Sequence, residues 1–230
     1  MKIYCISDIH GNLFELEEAL YLILENLGQI DTQLILLGDY IHGGYENYEV
    51  LDRIMELQDF YGKDKVIALR GNHEDLILSG YSSINDDGNE IVDVEKDQKY
   101  IDWIKKLPIY YTCGNTIFCH AGIDEEAGED WEWGTSDEIF TGKYPASIGK
   151  IDGLDKKVVA GHVPTSEITG NDKYHDIYYD GESHFYIDGG VLHGGIVPVL
   201  LVNTEKEKYY RVLETGNDEI KPYNNRIKYS

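Results

Sequence analysis

Apolar positions in the first half of the chain follow two alternating patterns. Short runs of β-forming residues occur at 2–7 (KIYCIS), 33–37 (QLILL) and 65–69 (KVIAL). Between them, apolar residues recur at spacings of three and four. Leu13, Leu16, Leu20, Ile23, Leu24 and Leu27 form one such face, and Val50, Leu51, Ile54 and Leu57 the next. Unbroken apolar runs suit buried strands, and a period near 3.6 suits an amphipathic helix. A shorter helical stretch follows at 74–78. This order predicts a sheet with crossover helices.

The pattern breaks at 82–97, which is polar and acidic and carries Asp86, Asp87 and Gly88 as a turn signal. It reads as a surface excursion. Tyr100, Trp103, Ile104 and Leu107 predict a further helix, stopped by Pro108. Tyr110–Cys113 and Thr116–Cys119 flank Gly114-Asn115 and read as a hairpin. β-Rich runs continue at 158–160, 177–179, 185–187, 197–202 and 209–213. No repeat, linker or low-complexity tract divides the chain, so residues 1–230 are expected to form one domain. The expected class is α/β (α+β in some schemes), with two packed sheets or one large mixed sheet and helices outside.

Composition narrows the functional classes. A hydrophobic fraction of 42% with 12% aromatics is ample for a packed core. Asp and Glu number 43 against 20 Lys and Arg, giving a net charge of −23. A chain that coats nucleic acid needs a cationic face, and this one has only four arginines: Arg53, Arg70, Arg211 and Arg226. Three cysteines without a CxxC pair argue against a disulfide scaffold and for a reducing compartment. No apolar run approaches the ~18–20 residues of a membrane span. The apolar stretch before Ser7 is too short for a signal peptide. The expectation is a cytoplasmic chain with no membrane partner.

In the first half, each strand-like run ends in potential metal ligands. Asp8 and His10 follow the first, Asp39 the second, and Asn72, His73 and Glu74 the third. His120 and His162 follow later runs. In open α/β sheets the carboxyl ends of the strands converge on one crevice. Asp8, His10, Asp39, Asn72, His120 and His162 offer oxygen and nitrogen donors without a thiolate. That set suits Mn, Fe or Zn in a catalytic site better than a structural zinc. Six protein ligands suit two metals ~3.5–4 Å apart that share a carboxylate. Taken singly, each motif has a plainer reading; Asn72, for example, could cap a helix. His175 and His184 have no such setting and read as ordinary.

Together these residues resemble the calcineurin-like metallophosphoesterases, and more narrowly the phosphoprotein phosphatase branch with its small bacterial and phage members. The motifs are Asp8-Ile9-His10-Gly11, Gly38-Asp39-Tyr40, Leu69-Arg70-Gly71-Asn72-His73-Glu74, His120-Ala121-Gly122 and Gly161-His162-Val163-Pro164. The 186–195 segment (YIDGGVLHGG) resembles the family's closing strand and loop. The resemblance implies a four-layer fold, a central β-sandwich flanked by helices. It implies that Asp8, His10 and Asp39 hold one divalent metal, and that Asp39, Asn72, His120 and His162 hold a second, with manganese favoured over iron or zinc. His73 would be the catalytic proton donor. A metal-bridging hydroxide would attack phosphorus directly.

The second motif departs from the family's Gly-Asp-x-x-Asp-Arg-Gly. His42 stands where an Asp supports the catalytic His, and Gly43 where an Arg grips phosphate. A second phosphate-gripping Arg usually lies between the fourth and fifth motifs. Here 121–161 holds no Arg; its cations are Lys143, Lys150, Lys156 and Lys157, and 131–140 (WEWGTSDEIF) resembles the Arg's usual place. His42 then either contacts substrate phosphate or hydrogen-bonds His73, or is a plain loop residue. His193, in the glycine loop, is a further candidate for facing the site. Tyr40, Tyr45 and Tyr48 surround the second motif and could stack on a base or a peptide ring, although such residues are more often half-buried packing. The expected activity is hydrolysis of phosphomonoesters, carried by a phosphorylated protein or a small molecule, as in a bacterial Ser/Thr protein phosphatase. The alternatives are a nucleotide-directed hydrolase, such as one splitting diadenosine polyphosphates, and a metal-stabilised binding protein. Gly43→Arg is expected to raise phosphomonoesterase activity if the missing Arg limits it.

Overall fold

The computed structural model describes residues 1–85 and 94–224. The turn expected at Asp86, Asp87 and Gly88 lies outside the described residues. In chain order, the first half contains β1 (Lys2–Ile6), α1 (Leu13–Leu27), β2 (Thr32–Leu36), α2 (Asn47–Tyr61), β3 (Val66–Ala68), α3 (Asn72–Leu78) and α4 (Val94–Ile104). Next come β4 (Tyr110–Cys113), β5 (Thr116–Cys119), α5 (Trp131–Gly134), α6 (Asp137–Gly142), β6 (Lys157–Ala160) and α7 (Thr165–Thr169). The chain closes with β7 (Tyr178–Tyr179), β8 (His184–Tyr186), β9 (Leu200–Asn203), β10 (Lys208–Leu213) and β11 (Gly216–Glu219).

Two sheets result, ordered β11-β10-β9-β1-β2-β3 and β4-β5-β6-β8-β7. β1, β2 and β3 run parallel, and so do β5, β6 and β8. The period of two explains how the sheets stack. Ile3 and Cys5 of β1, with Ile35 of β2, pack against Phe118, Val159 and Phe185 of the second sheet. Tyr4 and Ile6 point the other way, onto Leu16, Leu20 and Ile23 of α1 and Val50, Leu51 and Ile54 of α2. On the far face of the second sheet, Ile117, Val158 and Tyr186 pack with Trp131 and Phe140 from α5 and α6. Helix, sheet, sheet and helix form four layers. Among the described residues, no helix is long and apolar enough to cross a membrane.

The hairpin and the first-half elements lie close to their expected places. The unexpected elements are short or polar. β11 (GNDE) is exposed throughout and carries no apolar alternation. α5, α6 and α7 span only 4, 6 and 5 residues, too short to display a helical period. The helix read through Leu107 ends at Ile104, and a turn at Lys105 and Lys106 leads to Leu107.

Candidate metal centre and active site

The C-terminal ends of six parallel strands meet on one edge of the sandwich. Asp8 lies two residues beyond β1, His162 two beyond β6, and His120 directly follows β5. Asp39 follows β2, and Asn72 opens α3 after β3. Backbone bonds lock these ends together. Ile9 and His10 N–H groups both donate to the Asp39 carbonyl at 2.9 Å, and Gly161 N–H donates to the His120 carbonyl at 2.7 Å. His162 N–H lies 3.1 Å from both Asp8 carboxylate oxygens. Gly161 is required here, because a Cβ on it would stand 2.0 Å from Asp8 Oδ2.

Asp39 Oδ2 is the hub. It lies 3.3 Å from His120 Nε2, 3.8 Å from His10 Nε2 and 3.8 Å from His73 Nε2. Asp8 Oδ1 is 3.9 Å from His10 Nε2. His10 Nδ1 faces the carbonyls of Ile41 and His42 at 3.3 and 3.1 Å. Carbonyls only accept, so Nδ1 carries the proton and Nε2 turns a lone pair inward. That orientation is the usual one for a metal-binding histidine. The Asn72 amide has Asp39 Oδ2, His162 Nδ1, His120 Nε2 and the Thr141 carbonyl within 2.9–3.3 Å of one end. With its nitrogen inward the amide donates to them; with its oxygen inward the point becomes a nest of lone pairs. His120 is fully buried, yet its Nδ1 has no hydrogen-bond partner.

This oversupply of lone pairs is what a cation needs, and all the donors are oxygen or nitrogen. Two groups bring their donor atoms within 4.8 Å of one another: His10, Asp39 and His73, and Asp39, His120 and His162. The residues therefore fit divalent metal. His73 joins a group as a possible donor, although the sequence reading kept it for proton transfer. Asn72 does not cap α3. Gly71 takes that place, and the N3 residue Glu74 accepts its N–H at 2.9 Å. The Asn72 side chain is thereby free to point inward.

Protonation follows from burial and charge. Burial, then the Asp39 charge, push the Asp8 carboxyl up to about 6, against the opposing pull of His120. Burial acts on Asp39 in the same sense, but His120, His10 and His73 outweigh it and hold its carboxyl well below the usual range. Burial would lower His120, yet the Asp39 carboxylate lifts it to about 9. Burial drives His73 and His162 down to about 4, helped by neighbouring imidazolium charge.

The family model of calcineurin-like phosphoesterases matches residues 1–202. The chain belongs to this family. It is 27% identical over 128 residues to a symmetrical bis(5′-nucleosyl)-tetraphosphatase of Nitrosospira multiformis, covering 54% of this chain and 44% of that one. The counterpart of Bordetella pertussis is 26% identical over 127 residues, covering 53% and 44%. The chain thus spans less than half the length of these curated relatives. Among solved structures, a putative diadenosine tetraphosphatase superposes with a TM-score of 0.59 at 18% identity, covering 97% of this chain and 94% of that one. A protein serine/threonine phosphatase of Saccharomyces cerevisiae gives 0.61 at 14%, covering 96% and 79%. These structural likenesses concern the fold alone.

In this calcineurin-like phosphoesterase the departures from the family motif have visible consequences. His42 has both ring nitrogens engaged, Nδ1 at 2.9 Å from His73 Nδ1 and Nε2 at 2.9 Å from the Ser83 carbonyl. Gly43 has a φ of +104°, and a Cβ there would stand 2.6 Å from the Leu192 side chain. A side chain at 43 has to displace the tip of the exposed Leu192 side chain and hold a left-handed backbone, and the backbone strain opposes the expected gain from Gly43→Arg. Lys143 pairs with Glu125 and the Ile123 carbonyl. Lys156 and Lys157 bond the carbonyls of Gly114 and Glu182. None of these three replaces the second arginine. His193, in the turn after Gly190, is exposed.

Two carboxylates that the sequence brings near the site, Glu74 and Asp188, are buried in roles that the motifs do not announce. Glu74 is 0% exposed and accepts from the N–H groups of Asp39, Tyr40 and Gly71, each at 2.9 Å. It pins the second and third strand ends together. Burial, then the Asp39 charge, raise it to about 7. Asp188 is 4% exposed and lies two residues past β8, the same offset as Asp8 past β1. That offset was the available signal. Burial and the Asp8 charge raise Asp188 to about 8.

Proposed function

We propose that this chain hydrolyses phosphomonoesters with two divalent ions, manganese being the preferred pair. Asp8, His10 and Asp39 hold one ion, and Asp39, Asn72, His120 and His162 the other. The observation that carries this reading is the Asp39 carboxylate at the centre of donor atoms from four other strand ends: His10, Asn72, His120 and His162. Bound divalent ions supply Lewis acidity and a water activated at neutral pH. The chain's own groups do the rest. His10 is oriented by carbonyls behind it, and Glu74 fixes the Asp39 backbone. His73 Nε2 gives a proton to the departing oxygen, acting as general acid. Residues 1–230 act as one catalytic domain. Unpaired Cys5, Cys113 and Cys119 favour a cytoplasmic setting.

A second reading is a nucleotide-directed hydrolase. Leu192 over Gly43 favours it, since an apolar wall replaces the cationic grip on a terminal phosphate dianion. The names of the two curated relatives point the same way. The test is a substrate panel on chelator-stripped, Mn²⁺-reloaded protein. It compares p-nitrophenyl phosphate, bis-p-nitrophenyl phosphate, a phosphothreonine peptide and diadenosine tetraphosphate. Preference for the monoesters supports the first reading. Preference for the diester or the dinucleotide moves the assignment to the second, and silence on all four with metal bound removes both.

A further inference from the structure

Away from the metal centre, the first sheet is unevenly covered. Its outer face carries α1 over β1 and β2, and α2 beside β3. Among the described residues, no helix lies over β10 and β11. α1 therefore stands at the margin, with one flank turned toward that bare end. Ten of its 15 residues are apolar, yet only Leu16, Ala19, Leu20, Ile23 and Leu27 are fully buried. A helix that is apolar on more than one side is normally covered on more than one. Here Phe14 and Tyr21, two turns apart on one face, are 69% and 73% exposed. Two clefts of about 300 and 670 Å³ lie between this flank and the β10–β11 hairpin, and they share Leu22, Leu213 and Glu214. Phe14 and Ile196 line the first, Tyr21 and Val212 the second. Their lining on α1 runs from Phe14 to Asn26, so together they form a groove along the helix of about 18 Å.

The wall of the groove is acidic. Glu15 and Glu18 line the first cleft, Glu25 the second and Glu214 both. Glu17, on the α2 side, is paired with Arg53 at 2.6 Å, whereas these four have no ion-pair partner among the described residues. Lys2, at the far end, is the one cation in the lining. We propose that the groove docks a helix of a partner protein, one whose apolar stripe is flanked by lysine and arginine. The floor takes the stripe, Phe14 and Tyr21 serve as aromatic anchors, and the unpaired glutamates select the cationic flanks. A second copy of the chain is a poor occupant. Two-fold pairing sets a patch against itself, which here brings glutamates against glutamates in a chain of net charge −23. One end of the groove lies beside the metal centre. Leu13 N–H donates to Glu46 Oε2 at 3.2 Å, in the loop after β2, and Ile196 lies four residues past Leu192, which packs at Gly43. A docked helix therefore ends next to the catalytic edge, although the docking itself is independent of the activity assigned above.

The test is calorimetric titration of the full chain with two synthetic peptides of identical composition. One places leucines at helical spacing with lysines on either flank, and the other scrambles the same residues. The amphipathic peptide should bind one per chain, about tenfold or more tighter than the scrambled one. Phe14→Ala with Tyr21→Ala leaves the net charge untouched. It should weaken the amphipathic peptide about tenfold or more and leave the scrambled one unchanged. Glu18→Lys with Glu214→Lys should also cost about tenfold, whereas the same charge change at Glu129 and Glu138, on the other side of the sandwich, should cost about threefold or less. All six side chains are exposed, so the variants keep the fold. Equal binding of the two peptides, or binding indifferent to the alanine pair, overturns the proposal. Sedimentation of the chain alone judges the other occupant. A monomer is expected, and a dimer that the alanine pair dissociates overturns the proposal in favour of a second copy.

Discussion

The molecule holds two buried clusters of histidine and carboxylate, and they are built on opposite principles. One is the strand-end site around Asp39. The other lies on the outer face of the second sheet, where His184 bridges Asp180 at 3.0 Å and Glu125 at 3.3 Å, and Glu125 also pairs with Lys143. In the second cluster every charge meets its opposite, and Asp180 accepts further bonds from the Gly149 and Glu182 N–H groups. In the first, several nitrogen and oxygen donor atoms crowd one carboxylate oxygen, and His120 Nδ1 has no partner. The backbone repeats the contrast. Asp8, His10, Asp39, His42 and His162 all have φ between +50° and +71°, and only Glu207 joins them among the other described non-glycine residues. Strain concentrated in this way marks a site held for function, at roughly 1–3 kcal/mol per residue. Similar residue types are thus complete in themselves at one place and completed by a cation at the other.

Single substitutions should separate the two clusters. Asp39→Asn removes the shared carboxylate and should lower Mn²⁺-dependent turnover by on the order of 10³-fold, since each ion contributes several kcal/mol. Steady-state kinetics on folded, metal-loaded protein measures this. His184→Ala leaves Asp180 without its cation and Glu125 with Lys143 alone. It should destabilise the fold by about 3–5 kcal/mol, the cost of breaking a buried ion pair. Denaturant unfolding reports that loss, while turnover of the folded fraction stays within a few-fold. A His184→Ala protein that is stable but inactive would erase the distinction.

The sequence revealed most of the site but little of its support. Asp8, Asp39, His120 and His162 were readable because each follows an apolar run whose partners share the sheet. The interleaved parity of Ile3, Tyr4, Cys5 and Ile6 likewise announced a strand buried on both faces. Glu74 was not readable as the clamp on three N–H groups. Nothing in a helical period distinguishes a solvated glutamate from one turned under a neighbouring strand end. Leu192 over Gly43 was hidden for a similar reason. The contact joins loops about 150 residues apart, and no local pattern encodes it.

The effect of pH sharpens the same comparison. Asp8, Glu74 and Asp188 have folded values of about 6, 7 and 8, above their unfolded values. Through these three carboxyls the folded, metal-free protein holds protons that the unfolded chain gives up above about pH 4, and their contribution to stability falls as pH rises through that window, while His73 and His162, held at about 4, act in the opposite sense below about pH 6.5. His184 is also raised, by Asp180 and Glu125 against its burial. Its contribution is complete below about pH 6.5 and is lost as pH rises through its folded value. Metal should relieve the first effect and leave the second. Melting temperatures from pH 4 to 8, with and without Mn²⁺, check this. An equally steep fall in both states would contradict it.

The smallest effect expected is that of Gly43→Arg. It sets a side chain at φ +104° against Leu192 and should cost about 1–3 kcal/mol, with no gain in monoesterase activity. Pairing it with Leu192→Ala removes the clash but not the backbone strain. A clear gain in the single variant would show that the loop yields easily.

The central claim is that the strand-end cluster becomes a phosphoesterase centre only with divalent metal. The direct measurement is a Mn²⁺ titration of chelator-stripped protein, following hydrolysis of p-nitrophenyl phosphate and bound manganese together. The account predicts no turnover at zero metal, and activity that saturates as about two ions bind per chain, in line with a two-metal site. Undiminished turnover after stripping, or a chain that retains no manganese, would contradict it.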